Sequence, residues 1–363
     1  VGSEMCIRDS VLSMLKGAMA ELRLGRPDAL AVDIGPVISA EAKAGIEAHI
    51  AALRKSGAPI TRLTAPDEQG HFVAPALIEI DDIAQLEREV FGPVLHVLRY
   101  RRAGLPGLIA AINATGYGLT FGLHTRLAAT EAAVTSRIKA GNLYVNRNMV
   151  GAVVGVQPFG GRGLSGTGPK AGGPLYLSRL VQDPALPPFH APAPAPLLDF
   201  IAWADAAGED EAASLARLYA ASPLPGVVLD LPGPVGERNR YKLHPRGALL
   251  LRPVTLNGLY AQIIACLATG NRGCLEGMAL PALPSGLAQH FTARADEVAA
   301  VLAEGENVKA VTEEIAKRPG AVLPVHALRG DQALPYRPEF LVEEVSLSVN
   351  LAAAGGNASL MML

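Results

Sequence analysis

Cysteine is scarce in this sequence. Only Cys6, Cys266 and Cys274 occur among 363 residues, and an odd number without C-x-x-C spacing argues against a disulfide framework. The eight histidines show no H-x-x-x-H or H-E-x-x-H spacing, so no metal site is predicted. Cysteine usage of this kind is typical of a reducing compartment, and we expect the protein in the cytoplasm.

Excess charge of one sign and long hydrophobic runs are also missing. The 32 Lys and Arg residues nearly balance 34 Asp and Glu residues, so no basic stripe is present to hold a phosphate backbone and nucleic-acid binding is not expected. Hydrophobic residues make up 50% of the chain, but they stand in runs well below the roughly 20 residues that cross a bilayer. We predict no membrane span and a chain long enough for two domains.

The first ten residues differ from the rest of the chain. Residues 1–10 (VGSEMCIRDS) have neither helical nor strand periodicity, and they resemble a translated sequencing adapter. We therefore predict that this segment is a non-native artefact and leave it out of the fold prediction.

Helical and strand patterns alternate after residue 10. Apolar spacing predicts helices over residues 11–24, 40–57, 108–114 and 128–139. Ser39 is the expected N-cap of the second of these helices. Runs rich in Val, Ile and Phe predict strands over residues 72–80, 94–100, 119–125 and 142–146. This alternation indicates the α/β fold class.

A Pro- and Ala-rich stretch divides the chain. Residues 183–196 favour extended backbone and a semi-rigid linker. The linker separates a first module, residues 11–182, from a second α/β region, residues 197–335, which is followed by a tail, residues 336–363. In the second region, strands are expected at 227–231 and 249–251 and a helix at 258–269.

Four segments of the first module carry recognisable motifs. They are residues 89–94 (EVFGPV), 116–123 (GYGLTFGL), 141–147 (GNLYVNR) and 157–168 (QPFGGRGLSGTG). In this order and spacing they resemble the E-x-F-G-P-V, Y-G-L, G-N-x-x-x-N-R and P-F-G-G segments of the aldehyde dehydrogenase superfamily. The resemblance implies a partial aldehyde dehydrogenase catalytic domain and NAD as cofactor. We expect mainly structural roles for the second and third segments.

The first motif implies a place at the cofactor. In the family the Glu carboxylate accepts hydrogen bonds from the two hydroxyls of the nicotinamide ribose, and the Phe packs beside the same end of NAD. The resemblance assigns these roles to Glu89 and Phe91. Taken alone, a Glu-x-Phe pattern would instead predict a solvated carboxylate and a core ring.

The segment after the last motif narrows the substrate. Residues 165–174 (SGTGPKAGGP) resemble the branch that oxidises glutamate semialdehyde, in particular the bifunctional proline-utilisation proteins. The resemblance implies that Gly151 and Ala152 anchor the substrate carboxylate through backbone N–H groups and that Phe159 packs against its aliphatic middle. The alternative is an ordinary turn followed by a core Phe.

The resemblance also implies that part of the enzyme is missing. The nucleophilic cysteine of the family is expected upstream of residue 1, so no catalytic residue is assigned, and Cys6 is taken as a coincidence. Cys266 is expected to be a small buried residue and Cys274 to lie in a strand, neither of them a nucleophile. FAD would belong only to a missing proline dehydrogenase part, and the full-length protein is expected to be a homo-oligomer. The chain alone is predicted to be inactive and poorly soluble.

The second half resembles the extra C-terminal region of long proline-utilisation proteins. The similar residues are 236–241, 246–247 and 268–271, and residues 346–360 resemble the terminal motif that packs as a lid. The implied fold is a degenerate Rossmann-like region with a C-terminal tail. We find no Gly-rich phosphate loop there and predict that this region binds no NAD. A non-catalytic scaffold and an aldehyde dehydrogenase of another substrate class remain alternatives.

Overall fold

The computed structural model describes residues 2–3, 5–66, 70–181, 187, 189–294, 297–305, 308–330 and 332–352. The chain divides into two compact units, Val1–Thr115 and Gly116–Leu363. Each is a mixture of helices and strands, so the predicted α/β class is confirmed.

The first unit is built around a four-stranded sheet. Its elements are β1 (Gly2–Ser3), α1 (Met5–Ala20), α2 (Ala40–Lys55), β2 (Ile60–Arg62), β3 (Ala76–Ile80), β4 (Val94–Arg99) and α3 (Leu105–Ala114). The strand order is β1-β4-β3-β2. β4 is parallel to β1 and β3, and β2 is antiparallel to β3.

Helix α2 shows why this unit folds as it does. The Ser39 hydroxyl accepts a hydrogen bond from the N–H of Ala42, which confirms the predicted N-cap. Ile46, Ile50 and Leu53 recur at helical spacing and are buried. They pack with residues of β3, including Ile78, to form the core of this unit.

The second unit contains the remaining elements. They are β5 (Tyr117–Gly118), β6 (Thr120–Leu123), α4 (Ala128–Thr135), β7 (Asn142–Val145), β8 (Arg162–Gly163), α5 (Ala195–Ala207), α6 (Asp210–Ala220), β9 (Val228–Leu231), β10 (Glu237–Pro245), β11 (Ala248–Arg252), α7 (Leu256–Ala268), β12 (Arg272–Leu275), α8 (Ser285–Ala288), β13 (Phe291–Thr292), β14 (Ala300–Ala303), α9 (Val308–Ile315), β15 (Val325–Ala327) and β16 (Val342–Asn350).

One sheet of this unit joins strands that are far apart in the sequence. Its order is β6-β7-β16-β10-β9. β16 runs parallel to β7 and antiparallel to β10, with Ser348 opposite both Tyr144 and Asn239. Strand β16 is therefore central in the sheet, and its polar side chains Glu344, Ser346 and Ser348 are buried.

The other large sheet is parallel, with the order β13-β12-β11-β14-β15. Counted from its first strand, this is the order 3-2-1-4-5 that characterises dinucleotide-binding folds. Helix α7 connects β11 to β12 and is buried along most of its length, from Gly258 to Ala268. The topology gives residues 248–327 a Rossmann-like arrangement.

Several boundaries differ from the sequence prediction. Helix α1 begins at Met5, so residues 5–10, predicted to lack periodic structure, are helical. It ends at Ala20 rather than at Leu24, which instead forms an isolated bridge to Ile34. Strand β3 begins only after Pro75, since proline has no N–H to donate to a strand ladder.

The linker and the tail are described only in part. Residues 183–186 and 188 of the predicted linker lie outside the described residues, and helix α5 already begins at Ala195. In the terminal motif, Ser346–Asn350 belong to β16, whereas residues 353–363 lie outside the described residues.

Candidate functional site

The cofactor motif lies on an exposed segment of the first unit that leads into β4. Gly92 packs so closely on α2 that a Cβ at this position would overlap the Ile46 side chain. Glu89 is exposed, and the Phe91 side chain is 87% exposed. The alternative of a core ring at Phe91 is therefore wrong. Glycine fixes the backbone against the helix while the two predicted cofactor residues remain at the surface.

The motif of residues 141–147 (GNLYVNR) lies along β7, and Asn146 near its end stabilises the sheet. Asn146, directly after β7, has a positive φ of 56°. Its side chain accepts a hydrogen bond from the N–H of Thr125 and donates one to the carbonyl of Thr125, each at 2.9 Å. This paired contact ties the end of β7 to the end of β6 and sets where the following loop leaves the sheet.

The loop that follows, residues 147–157, contains the predicted substrate anchor, Gly151 and Ala152, and is the anchor loop. Gly151 is exposed and Ala152 is half-buried. Within the described part of the chain, the N–H groups of these two residues donate to no protein acceptor. Two adjacent backbone donors left open in a loop can bind an anion such as a carboxylate.

Phe159 follows at the end of the loop. Its N–H donates to the carbonyl of Ala171 at 3.0 Å, and the N–H of Ala171 donates back at 2.8 Å. The ring is half-buried. The backbone around Phe159 is thus fixed by a two-hydrogen-bond bridge to Ala171.

Gln157 connects the anchor loop to the distant strands β10 and β16. Its side-chain oxygen accepts from the N–H of Val153 at 3.0 Å. Its side-chain nitrogen lies 2.5 Å from Glu237 Oε1, 3.1 Å from Ser348 Oγ and 3.2 Å from Asn239 Oδ1. The sequence alone does not single out Gln157, because only its partners, which are distant in sequence, distinguish it from any other polar loop residue.

A second buried network holds the glycine-rich motif of residues 157–168 and the adjacent Lys170 to β16. The Lys170 ammonium group donates to Asn142 Oδ1 at 3.1 Å and to the carbonyl of Gly160. The backbone N–H of Lys170 donates to Glu344 Oε2 at 2.7 Å, and Tyr241 donates to the other oxygen of that carboxylate at 2.7 Å.

Burial changes the acid–base properties of this second network. It lowers the pKa of the Lys170 ammonium group to about 8 and raises the pKa of the Glu344 carboxyl. Both groups are placed by contacts to backbone atoms or neighbouring side chains, so we assign the network a structural role under the loop.

Comparison with known proteins identifies the first part of the chain. Residues 4–183 match the model of the aldehyde dehydrogenase family. These residues belong to the aldehyde dehydrogenase family. The resemblance that was inferred from the four motifs is thereby confirmed.

Individual relatives are similar to this chain beyond residues 4–183 as well. The chain is 51% identical over 357 residues to the "Bifunctional protein PutA" of Rhizobium meliloti, covering 93% of this chain and 29% of that protein. The protein of the same name from Escherichia coli (strain K12) is 44% identical over 401 residues, with 99% and 30% coverage. The "1-pyrroline-5-carboxylate dehydrogenase" of Geobacillus kaustophilus (strain HTA426) is 36% identical over 173 residues, covering 47% of this chain and 33% of that protein.

The chain thus spans about three tenths of the length of its PutA relatives. Among solved structures, Proline Utilization A from Corynebacterium freiburgense superposes with a TM-score of 0.70 over 94% of this chain and 34% of that one. Its 22% sequence identity makes this a likeness of fold.

The two cysteines of the second unit are poor nucleophile candidates. Cys266 is fully buried in α7, and burial raises the pKa of its thiol, which disfavours the reactive thiolate. Cys274 lies in β12 and is also buried. Cys6 falls in α1, and its side chain is outside the described part of the structure.

Among the described residues there is no group of three or more His, Cys, Asp or Glu side chains arranged to hold a metal ion. Over those same residues, no helix is both long and apolar enough to span a bilayer.

The Rossmann-like sheet carries a carboxylate where related folds bind phosphate. Adjacent strands β11 and β14 form the switch point of the sheet, and α7 begins directly after β11. Glu304, directly after β14, accepts hydrogen bonds from the N–H groups of Val254 at 2.7 Å and Thr255 at 3.0 Å and from the Thr255 hydroxyl at 2.5 Å. A Cβ at Gly258, in the first turn of α7, would overlap this carboxylate.

Proposed function

We propose that the chain is the C-terminal part of an NAD-dependent aldehyde dehydrogenase that oxidises L-glutamate γ-semialdehyde to glutamate in proline catabolism. The observation that carries the proposal is the loop with two open N–H groups at Gly151 and Ala152, held by Gln157 at the start of the Q-P-F-G-G motif. The similarity to PutA proteins over 93% of the chain supports the same substrate class.

The substrate has a carboxylate at the end away from its aldehyde. In this proposal the N–H groups of Gly151 and Ala152 bind that carboxylate, and Phe159 packs against the methylene groups between the two ends. Fixing the remote end orients the aldehyde for reaction and lowers the entropic cost of reaching the transition state. The nucleophilic cysteine is expected upstream of residue 1.

The cofactor residues fit NAD at one edge. NAD supplies the hydride acceptor when bound. A carboxylate such as that of Glu89 has two acceptor oxygens, which suit a vicinal diol, and the exposed Phe91 ring can cover a planar group. The Rossmann-like region, whose switch point is filled by Glu304, is proposed to bind no NAD.

The deciding experiment uses the full-length gene product. We expect the DNA upstream of residue 11 to encode a cysteine-containing strand and a glycine-rich coenzyme domain. The purified full-length protein should reduce NAD with glutamate semialdehyde at a kcat/KM far above that for propanal, which lacks a carboxylate. Preference for propanal would indicate another substrate class, and a start codon directly before Val11 would favour the non-catalytic scaffold.

A further inference from the structure

The anchor loop is held at one backbone position. The carbonyl of Val153 accepts hydrogen bonds from the N–H groups of Val156 at 3.1 Å and Gln157 at 2.9 Å, while the N–H of Val153 donates to the Gln157 side chain. Val153 directly follows Ala152. The direction of the open N–H groups of the anchor therefore depends on how Gln157 holds Val153.

Two valine side chains of this loop face solvent. The Val150 and Val154 side chains are 93% and 95% exposed. A loop whose apolar side chains face solvent gains little stability from burial, and its conformation depends on hydrogen bonds. Gln157, at 3% exposure, connects the loop to the interior, together with Arg147 at the start of the loop.

The contacts of Gln157 fix the orientation of its amide. The nitrogen faces the Glu237 carboxylate and the oxygen faces the N–H of Val153, so a rotated amide would place like atoms together. Glu237 Oε1 also accepts from Arg147 at 2.8 Å and from the Ser348 hydroxyl at 2.8 Å. Bonds to an ionised acceptor are stronger than neutral ones, so this cluster is a firm support.

From these contacts we propose that Gln157 is a positioning residue for the substrate anchor and that β10 and β16 hold it for that purpose through Glu237 and Ser348. The inference rests on the proposed function, because it concerns the same carboxylate site. It assigns a part in substrate selection to strands outside residues 4–183, the part that matches the aldehyde dehydrogenase family.

The test compares three variants of the full-length protein. Gln157→Ala removes the bridge, and Ser348→Ala removes one of its supports. Ser346→Ala is the matched control, because Ser346 lies on the same strand with similar burial, 3% against 1%, and is not a partner of Gln157. Steady-state kinetics with glutamate semialdehyde and with propanal are combined with amide hydrogen exchange of peptides that cover residues 148–157.

For Gln157→Ala we expect kcat/KM for glutamate semialdehyde to fall about tenfold, mainly through KM, since a bond to a charged group is lost. The values for propanal should change less than about twofold. Exchange across 148–157 should be faster in Gln157→Ala and Ser348→Ala than in Ser346→Ala. If Gln157→Ala does not fold, Ser348→Ala decides by the same measurements.

Equal losses for both aldehydes, or unchanged exchange in the loop, would overturn the positioning role. A wild-type protein without activity on glutamate semialdehyde contradicts the proposed function instead. In that case faster loop exchange in the two variants still shows that Gln157 holds Val153, and unchanged exchange refutes it.

Discussion

Glu304 binds Thr255 through two hydrogen bonds, one to the backbone N–H and one to the hydroxyl, at the first turn of a helix in a Rossmann-like sheet. The Thr255 hydroxyl in turn accepts from the N–H of Gly258 as the N-cap of α7. An anion supplied by the chain thus occupies the helix N-terminus at which dinucleotide-binding folds hold a pyrophosphate. The position of Glu304 supports the proposal that this region binds no NAD, as does a sequence in which we find no Gly-rich phosphate loop.

Replacing Glu304 tests this arrangement. Glu304→Ala removes the acceptor of the N–H groups of Val254 and Thr255. Because both residues are exposed and water can replace this acceptor, we expect the free energy of unfolding to fall by about 0.5–1.5 kcal/mol. Chemical denaturation would measure the loss, and Glu313→Ala, an exposed residue on α9, is the control. Titration calorimetry should show no NAD binding to the wild-type Rossmann-like region. Stability equal to wild type would contradict the capping role.

The same carboxylate predicts a dependence on acid. Burial tends to raise the pKa of Glu304, but the hydrogen bonds from Thr255 and Val254 outweigh it and lower the pKa below 4.5. A lowered folded-state pKa means that this contribution to stability is present above pH 4.5 and is lost as the pH falls through the lower value. Glu304→Gln should lack this component of acid sensitivity.

His49 and His96 predict a separate pH effect in the first unit. Their Nε2 atoms lie 2.8 Å apart, so one ring must accept and both cannot be protonated. Burial lowers the pKa of His49 and lowers that of His96 from 6.5 to about 4. The unfolded chain therefore binds more protons between these values, and stability should fall as the pH drops from 6.5 to about 4.

Thermal unfolding across that range would check the prediction for the histidine pair. His96→Gln should flatten the dependence, whereas His124→Gln, at an exposed histidine of the other unit, should leave it unchanged. A wild-type melting temperature that is constant from pH 6.5 to 4 would show that the pair does not titrate in this way.

The proposed binding of the substrate carboxylate can be tested at a single group, the backbone N–H of Gly151. Gly151→Pro removes a backbone N–H, and we expect KM for glutamate semialdehyde to rise about tenfold in the full-length protein, with that for propanal nearly unchanged. Gly151→Ala is the matched control, because it keeps the N–H and a Cβ at this position meets no atom within 4 Å. Similar kinetics for both variants would exclude this N–H as the anchor.

Glu89 is expected to act on the cofactor alone. Glu89→Gln replaces a charged acceptor by a neutral amide oxygen, so KM for NAD should rise about tenfold while KM for the aldehyde changes little. Glu87→Gln, at an exposed carboxylate of the same segment, provides the comparison. The hypothesis fails if both variants have the same effect on KM for NAD.

The chain of residues 1–363 alone should form no NADH from glutamate semialdehyde and NAD, because the nucleophile is expected upstream. A spectrophotometric assay with the full-length protein as positive control measures this. Turnover by the shorter chain would place a nucleophile within it and refute our assignment of Cys6, Cys266 and Cys274.

Local patterns predicted much of the fold. The helix capped by Ser39 and strand β7 were found because apolar periodicity and capping chemistry operate within a few residues. Strand β16 was not predicted as a sheet centre, because its buried Glu344, Ser346 and Ser348 give it a polar pattern. The side chains of Glu344 and Ser348 bind partners more than 100 residues away, Tyr241 and Gln157 respectively, and no short window of the sequence contains both members of either pair.

The candidate site also contains residues that the sequence predicts and residues that only the structure reveals. The motifs predicted Gly151, Ala152 and Phe159 by resemblance, and their roles stay predictions. Gln157 stood in one of the quoted motifs, yet its function as a bridge depends on Glu237 and Ser348. The contact of Glu304 with the first turn of α7 could not be predicted, because a single Glu after a short apolar run has no distinctive spacing in the sequence.

The central place of β16 has a consequence for synthesis on the ribosome. Strands β7 and β10 have no direct pairing with each other, and each pairs with residues 342–350. During translation, therefore, both strands keep an unpaired edge until about 200 further residues after β7 have been made. A nascent chain that pauses before this point is a natural substrate for chaperones, and a truncation before residue 342 should aggregate rather than simply lose a tail.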